Sequence, residues 1–268
     1  MKISIITVNY NDAEGLEKTL SVETALSLPD GLEKEIIVID GGSTDGSVEV
    51  MKRYKDKIDY SVSERDKGTY HAMNKGVRAA TGDFCIFMNS GDTFASPTVL
   101  SEIFREPTQE LLDADVISGG TFYIDPKPRK KKKAVIYRDA PTRVSMVFFY
   151  YSTLSHQASF IRRRRLLQFP YDESLKIVSD LKFWIQCLIL DEGKYHQVPV
   201  PVARFDTSGL KSRAENAEKN EIEKVFQSLK LRKIVCDYEF ILKEQSSLKM
   251  RLLRHIYRRK IKEHFRSR

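Results

Sequence analysis

Residues 3–11 have the sequence ISIITVNYN, and residues 35–47 have the sequence EIIVIDGGSTDGS. Each stretch begins with an apolar run rich in β-branched side chains, which is typical of strands buried on both faces of a parallel sheet. Each run then ends in polar and turn-forming residues. The pattern predicts strands at Ile3–Val8 and Glu35–Asp40, both ending at the sheet edge where ligands of such folds bind.

Strand and helix patterns alternate along the rest of the first hundred residues. Helices are predicted over 12–25 and 45–54 and after Gly68, and further strands over 58–63 and 83–89. Strands separated by helices form mostly parallel sheets with right-handed crossovers. We therefore expect an α/β fold of Rossmann-like type, with a mostly parallel sheet flanked by helices.

The second half of the chain is less regular. Strands are predicted over 116–123, 134–138 and 195–203, with 155–161 returning to the sheet; a helix is predicted over 179–190, and helical structure from 214 to the end.

Polar side chains follow the strands of the first half, and they include carboxylates, amides and lysines. Because the carboxyl ends of parallel strands meet at one edge, we expect one shared site there.

Several classes of protein are excluded by what the sequence lacks. It has no G-x-G-x-x-G after the first strand and no G-x-x-x-x-G-K-[ST], so dinucleotide and P-loop sites lose their main support. Its three cysteines lie far apart, so neither a disulfide framework nor a cysteine zinc site is expected. The first residues show no small-residue cleavage site, and no apolar run approaches the roughly 20 residues of a spanning helix, so we expect neither a signal peptide nor a membrane span.

The net charge of +8 for 268 residues is confined to the end of the chain. Segment 243–268 holds ten lysines or arginines against two glutamates, so the other 242 residues sum to zero. Apolar residues recur there at helical spacing from Leu253 to Phe265, which predicts a basic amphipathic helix. Such a helix is typical of an anchor to an anionic membrane surface. The alternatives are a nucleic-acid contact, which no RNP motif or zinc finger supports, and a solvated or packing helix.

Three stretches together resemble the successive motifs of family 2 glycosyltransferases of GT-A fold. They are the two quoted above and SERDKGTYHAMNKGVRAATGDFCIFMNSGD over 63–92. The later HQASFIRR over 156–163 and SDLKFW over 179–184 are similar to acceptor-side motifs of that family. The resemblance implies a GT-A domain over 1–205, with a nucleotide-binding half at 1–95 and an acceptor-binding half at 96–205. Residues 206–268 would form a helical, basic C-terminal extension.

The resemblance also implies a site for the nucleotide-sugar donor. Its residues would be Thr7, Asn9, Tyr10, Asp40, Asp66, Lys67, Lys75, Asn89 and Ser90. Asp40 would contact uracil, with Thr7, Asn9 and Tyr10 closing the pocket; its alternative role is to cap the following turn. Asp66, Lys67 and Lys75 would orient ribose and balance pyrophosphate charge, or else lie on a solvated loop and helix face.

Residues 89–92, Asn-Ser-Gly-Asp, occupy the place of the family's Asp-x-Asp metal motif. Asn89 and Gly91 replace its two acidic positions, so Asp92 is the carboxylate left to hold Mn²⁺ or Mg²⁺. A diphosphate leaving group calls for such a hard divalent ion, bound by few carboxylates and by the phosphate oxygens. The alternative is a plain turn aspartate after a strand.

Asp180 shares a helical stripe with Phe183, Trp184, Cys187 and Leu188. Burial beside apolar groups would tune a carboxylate toward the basicity that a general base needs, whereas the alternative is a cap at the helix N-terminus. The resemblance implies that Asp180 is the base that deprotonates the acceptor hydroxyl.

Three further side chains are candidates for the acceptor side. His156 and Gln157 would lie near the acceptor or the diphosphate, although a lone histidine is as often structural. Trp184 would stack on a sugar face or pack in the core.

We expect an inverting glycosyltransferase that moves a sugar from a nucleotide-sugar, with a UDP-sugar as the favoured donor, to a saccharide or lipid-linked saccharide in cell-surface polysaccharide synthesis. We expect it in the cytoplasm, peripheral at the inner face of the cell membrane, with no nucleic-acid partner. One alternative is a sugar-1-phosphate nucleotidyltransferase, which would need a Gly-rich loop where Asn9–Gly15 has one glycine. The other is a catalytically silent protein whose basic tail docks on membrane or RNA.

Overall fold

The computed structural model describes residues 1–125, 135–207 and 215–244. Within these ranges nine strands belong to one sheet. They are β1 (Lys2–Asn9), β2 (Glu33–Asp40), β3 (Tyr60–Ser63), β4 (Phe84–Phe87), β5 (Thr93–Phe94), β6 (Val116–Ile124), β7 (Val135–Arg138), β8 (Ser159–Arg162) and β9 (Tyr195–Asp206). Their order across the sheet is β3-β2-β1-β4-β8-β6-β9-β5, with β7 paired to β6.

Helices connect these strands in the described ranges. They are α1 (Ala13–Thr24), α2 (Ser47–Arg53), α3 (Thr69–Ala79), α4 (Val99–Phe104), α5 (Gln109–Asp113), α6 (Met146–Tyr151), α7 (Arg163–Gln168), α8 (Ser179–Trp184), α9 (Glu215–Ser228) and α10 (Arg232–Glu244). Strand and helix alternate through the first half, as the sequence predicts.

The first half of the sheet is parallel. β1 pairs in parallel with β2 and with β4, and β2 pairs in parallel with β3. β1 is central, and its side chains from Ile3 to Thr7 are buried, which explains why its sequence is a continuous apolar run rather than an alternating one. The expected α/β fold is confirmed, and the carboxyl ends of these strands form one edge.

The second half mixes strand directions. β8 is antiparallel to both β4 and β6, with Ser118 of β6 opposite Ser159 of β8. β8 therefore begins at the edge where β4 ends, so the segment before Ser159 lies beside the turn after β4. β6 and β9 are parallel, with a register shift between Ser118 and Gly120.

The helices of the first half pack closely on β1 and β2. Leu16 and Leu20 of α1 join Ile36 and Val38 of β2 in one buried cluster. On α3, a Cβ added at Gly76 would collide with Ile6 of β1. The missing side chain lets the helix approach the strand, and this fixes the position of the α3 residues that face the site.

The structure has a helix over the predicted residues 179–190, in two parts. The α-helical part ends at Trp184, and Ile185–Leu190 continue as a π-helical segment in which the Asp191 N–H donates to Gln186 O, five residues back. The apolar residues of the predicted stripe are all buried, although the wider turn changes their spacing after Trp184; they are Phe183, Trp184, Cys187 and Leu188. π-helical turns are frequently found at functional sites.

The chain divides into two compact units, Met1–Glu221 and a second that begins at Ile222. The first includes the whole sheet and the first half of α9. No helix of the described ranges is long and apolar enough to cross a membrane. The basic loop at 127–133 and most of the segment 243–268 lie outside the described residues.

Candidate functional site

Polar side chains from three adjacent strand ends meet at the carboxyl edge of the sheet. Asn9, the last residue of β1, donates through Nδ2 to Asp40 Oδ1 at 2.6 Å. Ser90, in the turn after β4, donates to Asn9 Oδ1 at 2.7 Å. Asn9 thus joins the ends of β2 and β4, which the sequence predicted to share one site.

Asp40 caps the turn that follows β2, which was the alternative to its contact with uracil. Its two oxygens accept hydrogen bonds from the Gly42 and Ser43 N–H groups and from the Ser43 and Ser63 hydroxyls, at 2.5–3.1 Å, besides that from Asn9. Burial alone would raise the pKa of Asp40, but these hydrogen bonds outweigh it and lower the pKa below its ordinary value. Asp40 is fully buried and both its oxygens already have partners, which favours the capping role over the expected contact with uracil.

Tyr10 is the exposed group at this end of β1. Its side chain is 68% exposed and its ring covers Gly41, since a Cβ added there would lie 3.1 Å from the ring. An exposed aromatic ring on the edge of the site is available to stack on a nucleotide base. Thr7, by contrast, is buried and donates to Glu23 Oε1 at 2.8 Å. It lies too deep in the strand, under α1, to close the pocket as predicted.

Asp66 and Lys75 form one charged cluster after β3. The Lys75 ammonium group lies 2.5 Å from Asp66 Oδ1 and 2.7 Å from Glu64 Oε1, and His71 Nδ1 lies 3.0 Å from the same Asp66 oxygen. Lys75 thus pairs with two carboxylates and holds Asp66 in place. Asp66 Oδ2 is buried with no hydrogen-bond partner, and the neighbouring Lys67 is exposed.

The turn after β4 holds Asn89 and Asp92, which face different partners. Asp92 is 2% exposed; its Oδ1 accepts the Asp206 N–H at 2.9 Å, and its Oδ2 accepts Gln157 Nε2 at 3.3 Å. Burial raises the pKa of Asp92 to about 7, because these two donors offset only part of the cost of burying the charge. Asn89 Oδ1 is buried without a hydrogen-bond partner.

Asp180 lies in the first turn of α8 and joins this turn through a histidine. His156 Nδ1 lies 3.3 Å from Asp180 Oδ2, and His156 Nε2 lies 3.5 Å from Asn89 Nδ2. Both contacts are made by ring nitrogens of His156, so this residue joins Asp180 to the turn after β4. The side chains of Asp180 and His156 are 14% and 15% exposed, so a substrate can reach both.

The other oxygen of Asp180 is fixed by its own helix and by α3. Oδ1 accepts the Leu181 N–H at 2.9 Å and the Tyr70 hydroxyl at 3.2 Å. The single proton of the Tyr70 hydroxyl is shared between this oxygen and Ile177 O, which lies closer, at 2.7 Å. Asp180 is therefore oriented by three neighbours, with Oδ2 toward His156.

Glu221 of α9 was not predicted as a site residue. Its carboxylate accepts three consecutive backbone N–H groups, those of Lys176, Ile177 and Val178, at 2.8, 2.8 and 3.2 Å. Those residues form the loop that leads into α8 and Asp180. The contact joins residues more than 40 positions apart across an irregular loop, and no sequence pattern could have indicated it.

Two acceptor-side predictions need correction. Trp184 has no exposed surface and packs against Phe183 with ring centroids 5.0 Å apart, so it belongs to the core and does not stack on a sugar. Gln157 is 3% exposed, and its amide group links Ser155 to Asp92. It supports the site from behind instead of facing an acceptor.

Comparison with known proteins gives a family match and several relatives. Residues 4–169 match the model of the family described as "Glycosyl transferase family 2". An uncharacterized glycosyltransferase of Mycobacterium tuberculosis is 29% identical over 221 residues, which cover 80% of this chain and 78% of that protein. A cholesterol galactosyltransferase of Borreliella burgdorferi is 30% identical over 125 residues, 46% of this chain and 33% of that one.

Solved structures show the same fold at low identity. TarS of S. aureus superposes with a TM-score of 0.60 at 20% identity over 78% of this chain, which spans 37% of the TarS chain. Its fragment 1–349 in complex with UDP-GlcNAc gives 0.56 at 16% identity, covering 81% of this chain and 61% of that one. A mannosyltransferase from Pyrobaculum calidifontis, in complex with GDP-Man and Mn²⁺, gives 0.52 at 17% identity over 76% of this chain and 56% of its own.

Proposed function

This chain belongs to glycosyltransferase family 2, and on that premise we propose that it transfers a sugar from a UDP-sugar to a hydroxyl group of a saccharide or lipid-linked saccharide, with inversion at the anomeric carbon. The observation that carries the proposal is the series Asp180–His156–Asn89, which links a candidate base to the turn after β4. In this proposal the general base therefore lies next to the leaving group of the donor.

Asp180 acts as the general base in this mechanism. Its Oδ2 takes the proton of the acceptor hydroxyl while the acceptor oxygen forms a bond to the anomeric carbon of the donor. The bond from that carbon to the diphosphate oxygen breaks, and its electron pair leaves with the nucleoside diphosphate. The hydrogen bonds from Tyr70 and Leu181 hold the carboxylate before substrate arrives, so its orientation costs nothing at the moment of reaction.

The nucleotide lies along the ends of β1 to β3 in this proposal. Tyr10 stacks on the base. Asn9 and Ser90 stabilise the edge formed by the ends of β1, β2 and β4, and Asp40 stabilises the turn after β2. The buried, unpartnered Oδ2 of Asp66 accepts a ribose hydroxyl, with Lys67 exposed beside it. UDP is favoured because TarS fragments bind UDP and UDP-GlcNAc, whereas the mannosyltransferase binds GDP-Man, so GDP is the rival donor nucleotide.

A divalent cation, Mn²⁺ or Mg²⁺, completes the proposed donor site. The oxygens available to it are the Asp92 carboxylate and the buried, unpartnered Asn89 Oδ1 in the same turn. Hard oxygen ligands suit these ions, and Mg²⁺ is often held by one or two carboxylates together with substrate phosphates. When bound, the ion would stabilise the negative charge that develops on the leaving diphosphate. No three histidine, cysteine or acidic side chains of the described ranges group to hold a metal alone.

We also propose that the enzyme works at the inner face of the cell membrane in surface polysaccharide synthesis. Segment 243–268 carries a net charge of +8, and each basic residue near an anionic surface contributes about 1 kcal/mol. Similarity to a galactosyltransferase of cholesterol, a lipid acceptor, supports a membrane-associated substrate. Removal of 243–268 should abolish co-sedimentation with anionic vesicles; unchanged binding would contradict the anchor.

The Asp180→Asn variant tests the mechanism. We expect turnover of the accepted nucleotide-sugar to fall by about 10²- to 10⁴-fold, the usual contribution of a general base, while UDP affinity stays the same. Lys182→Gln, two positions along α8 and paired with Asp172, is the matched control. Unchanged turnover in Asp180→Asn would remove Asp180 from the base role, and turnover in the native chain would exclude a catalytically silent protein.

A further inference from the structure

An exposed apolar surface lies on β7 and α6, in the second half of the chain. Eleven large hydrophobic side chains are exposed in the described ranges, and five of them lie within residues 135–151, each 39–63% exposed: Val135, Ile136, Tyr137, Val147 and Tyr151. We propose that these five residues, the hairpin surface, dock on an anionic lipid bilayer and turn the transfer site toward it. The inference rests on the proposed membrane location, in which segment 243–268 recruits the chain; the hairpin surface then orients it.

β7 contributes an apolar strand that is open to solvent. All four of its residues, VIYR, are exposed, and it pairs only with β6 within the described ranges. Edge strands of water-soluble proteins usually carry charged side chains that prevent association. Val135 and Tyr137 lie on one face of this strand and Ile136 on the other, so both faces present apolar groups. A contiguous exposed patch of this kind marks a docking surface.

α6 adds a second apolar element beside the hairpin. Its sequence, MVFFYY, carries no charge, and a helix that is apolar all round is ordinarily buried. Phe149 is its buried residue, whereas Val147 and Tyr151, four positions apart, share the exposed face. Phe148 lines one cavity together with Arg138 of β7, so the helix lies next to the hairpin.

The charge of this part of the sequence selects an anionic bilayer as the occupant. Residues 127–151 include eight lysines or arginines and one aspartate, a net charge of +7. Six of the basic residues fall between β6 and β7, outside the described residues. Aromatic and aliphatic side chains together with basic ones are typical of segments that bind at the interface of anionic membranes. A second copy of the chain would bring another +7 to the contact, which disfavours a dimer through this surface.

The hairpin surface lies close to the proposed leaving-group site. Val135 is opposite Ile124 of β6, and Ile124 is opposite Asp206 of β9. The Asp206 N–H donates to Asp92 at 2.9 Å. Neighbouring strands are about 4.8 Å apart, so Val135 is two strand spacings, roughly 10 Å, from the residue that contacts Asp92. A bilayer at this surface would bring its headgroups near the site, which suits a lipid-linked acceptor.

A single introduced tryptophan tests whether the surface enters the bilayer. Trp184 is the one tryptophan of the chain and has no exposed surface, so it gives a constant background. Val147→Trp places a reporter on the hairpin surface, and Tyr60→Trp, at an equally exposed position of β3, is the matched control. The full-length chains are mixed with vesicles of phosphatidylglycerol and phosphatidylcholine whose acyl chains are brominated and quench a tryptophan among them. We expect both variants to co-sediment and Val147→Trp alone to be quenched.

Two triple variants test the same surface without an added aromatic ring. The first replaces three of its residues by serine: Val135→Ser, Ile136→Ser and Val147→Ser. The control replaces three leucines that are exposed to a similar degree elsewhere: Leu28→Ser, Leu167→Ser and Leu190→Ser. We expect the dissociation constant for the anionic vesicles to rise about tenfold or more in the first variant, because apolar area that enters the bilayer is removed, and to stay the same in the control. The unfolding midpoints show that both variants fold.

Three outcomes would overturn the inference. One is that Val147→Trp co-sediments with the vesicles and is quenched no more than Tyr60→Trp. Another is that the two folded triple variants bind the vesicles equally well. The third is a dimer of the native chain that the first triple variant loses while its vesicle affinity is unchanged, which would assign the surface to a second copy. A native chain that does not co-sediment at all would contradict the proposed membrane location as well, so the two failures are distinguishable.

Discussion

Two buried carboxylates at opposite ends of the sheet, Glu35 and Asp92, differ in how their charge is balanced. Glu35 lies near the amino ends of β1, β2 and β4, and Asp92 follows their carboxyl ends; they are 4% and 2% exposed. Glu35 accepts hydrogen bonds from Ser4, Thr81 and Gly82 and pairs with Lys2 at 2.6 Å. Asp92 has the Asp206 N–H and the Gln157 amide.

The balance between burial, hydrogen bonds and neighbouring charges sets the sign of each pKa shift. Burial alone would raise the pKa of Glu35, but its lysine, hydroxyl and backbone donors outweigh burial and lower the pKa to about 2. For Asp92 burial prevails and the pKa rises to about 7. Glu35 therefore holds strands together and Asp40 holds the turn after β2, whereas Asp92 is left short of partners, and a cation can supply the missing charge there.

The largest expected effect on stability comes from Glu35→Gln. The pKa of Glu35 falls from its ordinary value of 4.5 to about 2, which corresponds to roughly 3 kcal/mol of stability at neutral pH. We expect the variant to lose about that much free energy of unfolding in a denaturant titration, and exposed Glu33→Gln to lose little.

The pH dependence follows from the same shift. Because the folded pKa is lowered, the contribution of Glu35 is present above pH 4.5 and is lost as the pH falls through about 2. The stability difference between the native chain and Glu35→Gln should shrink over that interval. A difference that stays constant down to pH 2 would contradict the proposed role of the ionised group.

Glu221→Gln should act on catalysis through the base loop. The two oxygens of the carboxylate accept three N–H groups, whereas an amide has only one accepting oxygen. The loop before Asp180 therefore loses part of its anchor. We expect kcat to fall roughly tenfold to a hundredfold with the donor KM unchanged, because small displacements of a reacting group are costly. Exposed Glu218→Gln on the same helix is the control, and Glu221→Asp should restore part of the loss. If Glu221→Gln and Glu218→Gln had the same kcat, Glu221 would have no positioning role.

Asp92→Asn should have the smallest effect on stability. The amide keeps an oxygen for the Asp206 N–H and removes a charge that is costly to bury, so we expect the free energy of unfolding at pH 8 to change by less than about 1 kcal/mol. Stabilisation by UDP with Mn²⁺ should be lost. A destabilisation as large as that of Glu35→Gln would show that both ends of the sheet use their carboxylates alike.

The parts of the fold that the sequence predicted are those with a strong local pattern. β1 and β2 are continuous apolar runs because neighbouring strands and helices cover both faces. β5 has two residues, Thr93 and Phe94, and is too short to show any periodicity. The π-helical turn after Trp184 depends on packing around it, and sequence spacing at 3.6 residues per turn cannot indicate it.

The site was predicted in its composition but only partly in its contacts. Asp180 and His156 were identified separately, whereas their contact across 24 residues depends on where β8 returns to the sheet. Thr7 and Trp184 carry suitable chemistry yet are buried, because depth in a strand or helix is set by the elements that pack on it. Residue type indicates what a side chain can do, and topology decides what it meets.

The most direct test of the central claim, a nucleotide-sugar site at the carboxyl end of the sheet, is the unfolding midpoint of the native chain with UDP, GDP, CDP or ADP, each with Mn²⁺ and with EDTA. A nucleotide at about 100 times its Kd adds roughly 2.7 kcal/mol of stability, and each 1 kcal/mol moves the midpoint by a few degrees in a chain of this size. We predict a rise with UDP and Mn²⁺ that EDTA removes. A midpoint that no nucleotide moves would contradict the account.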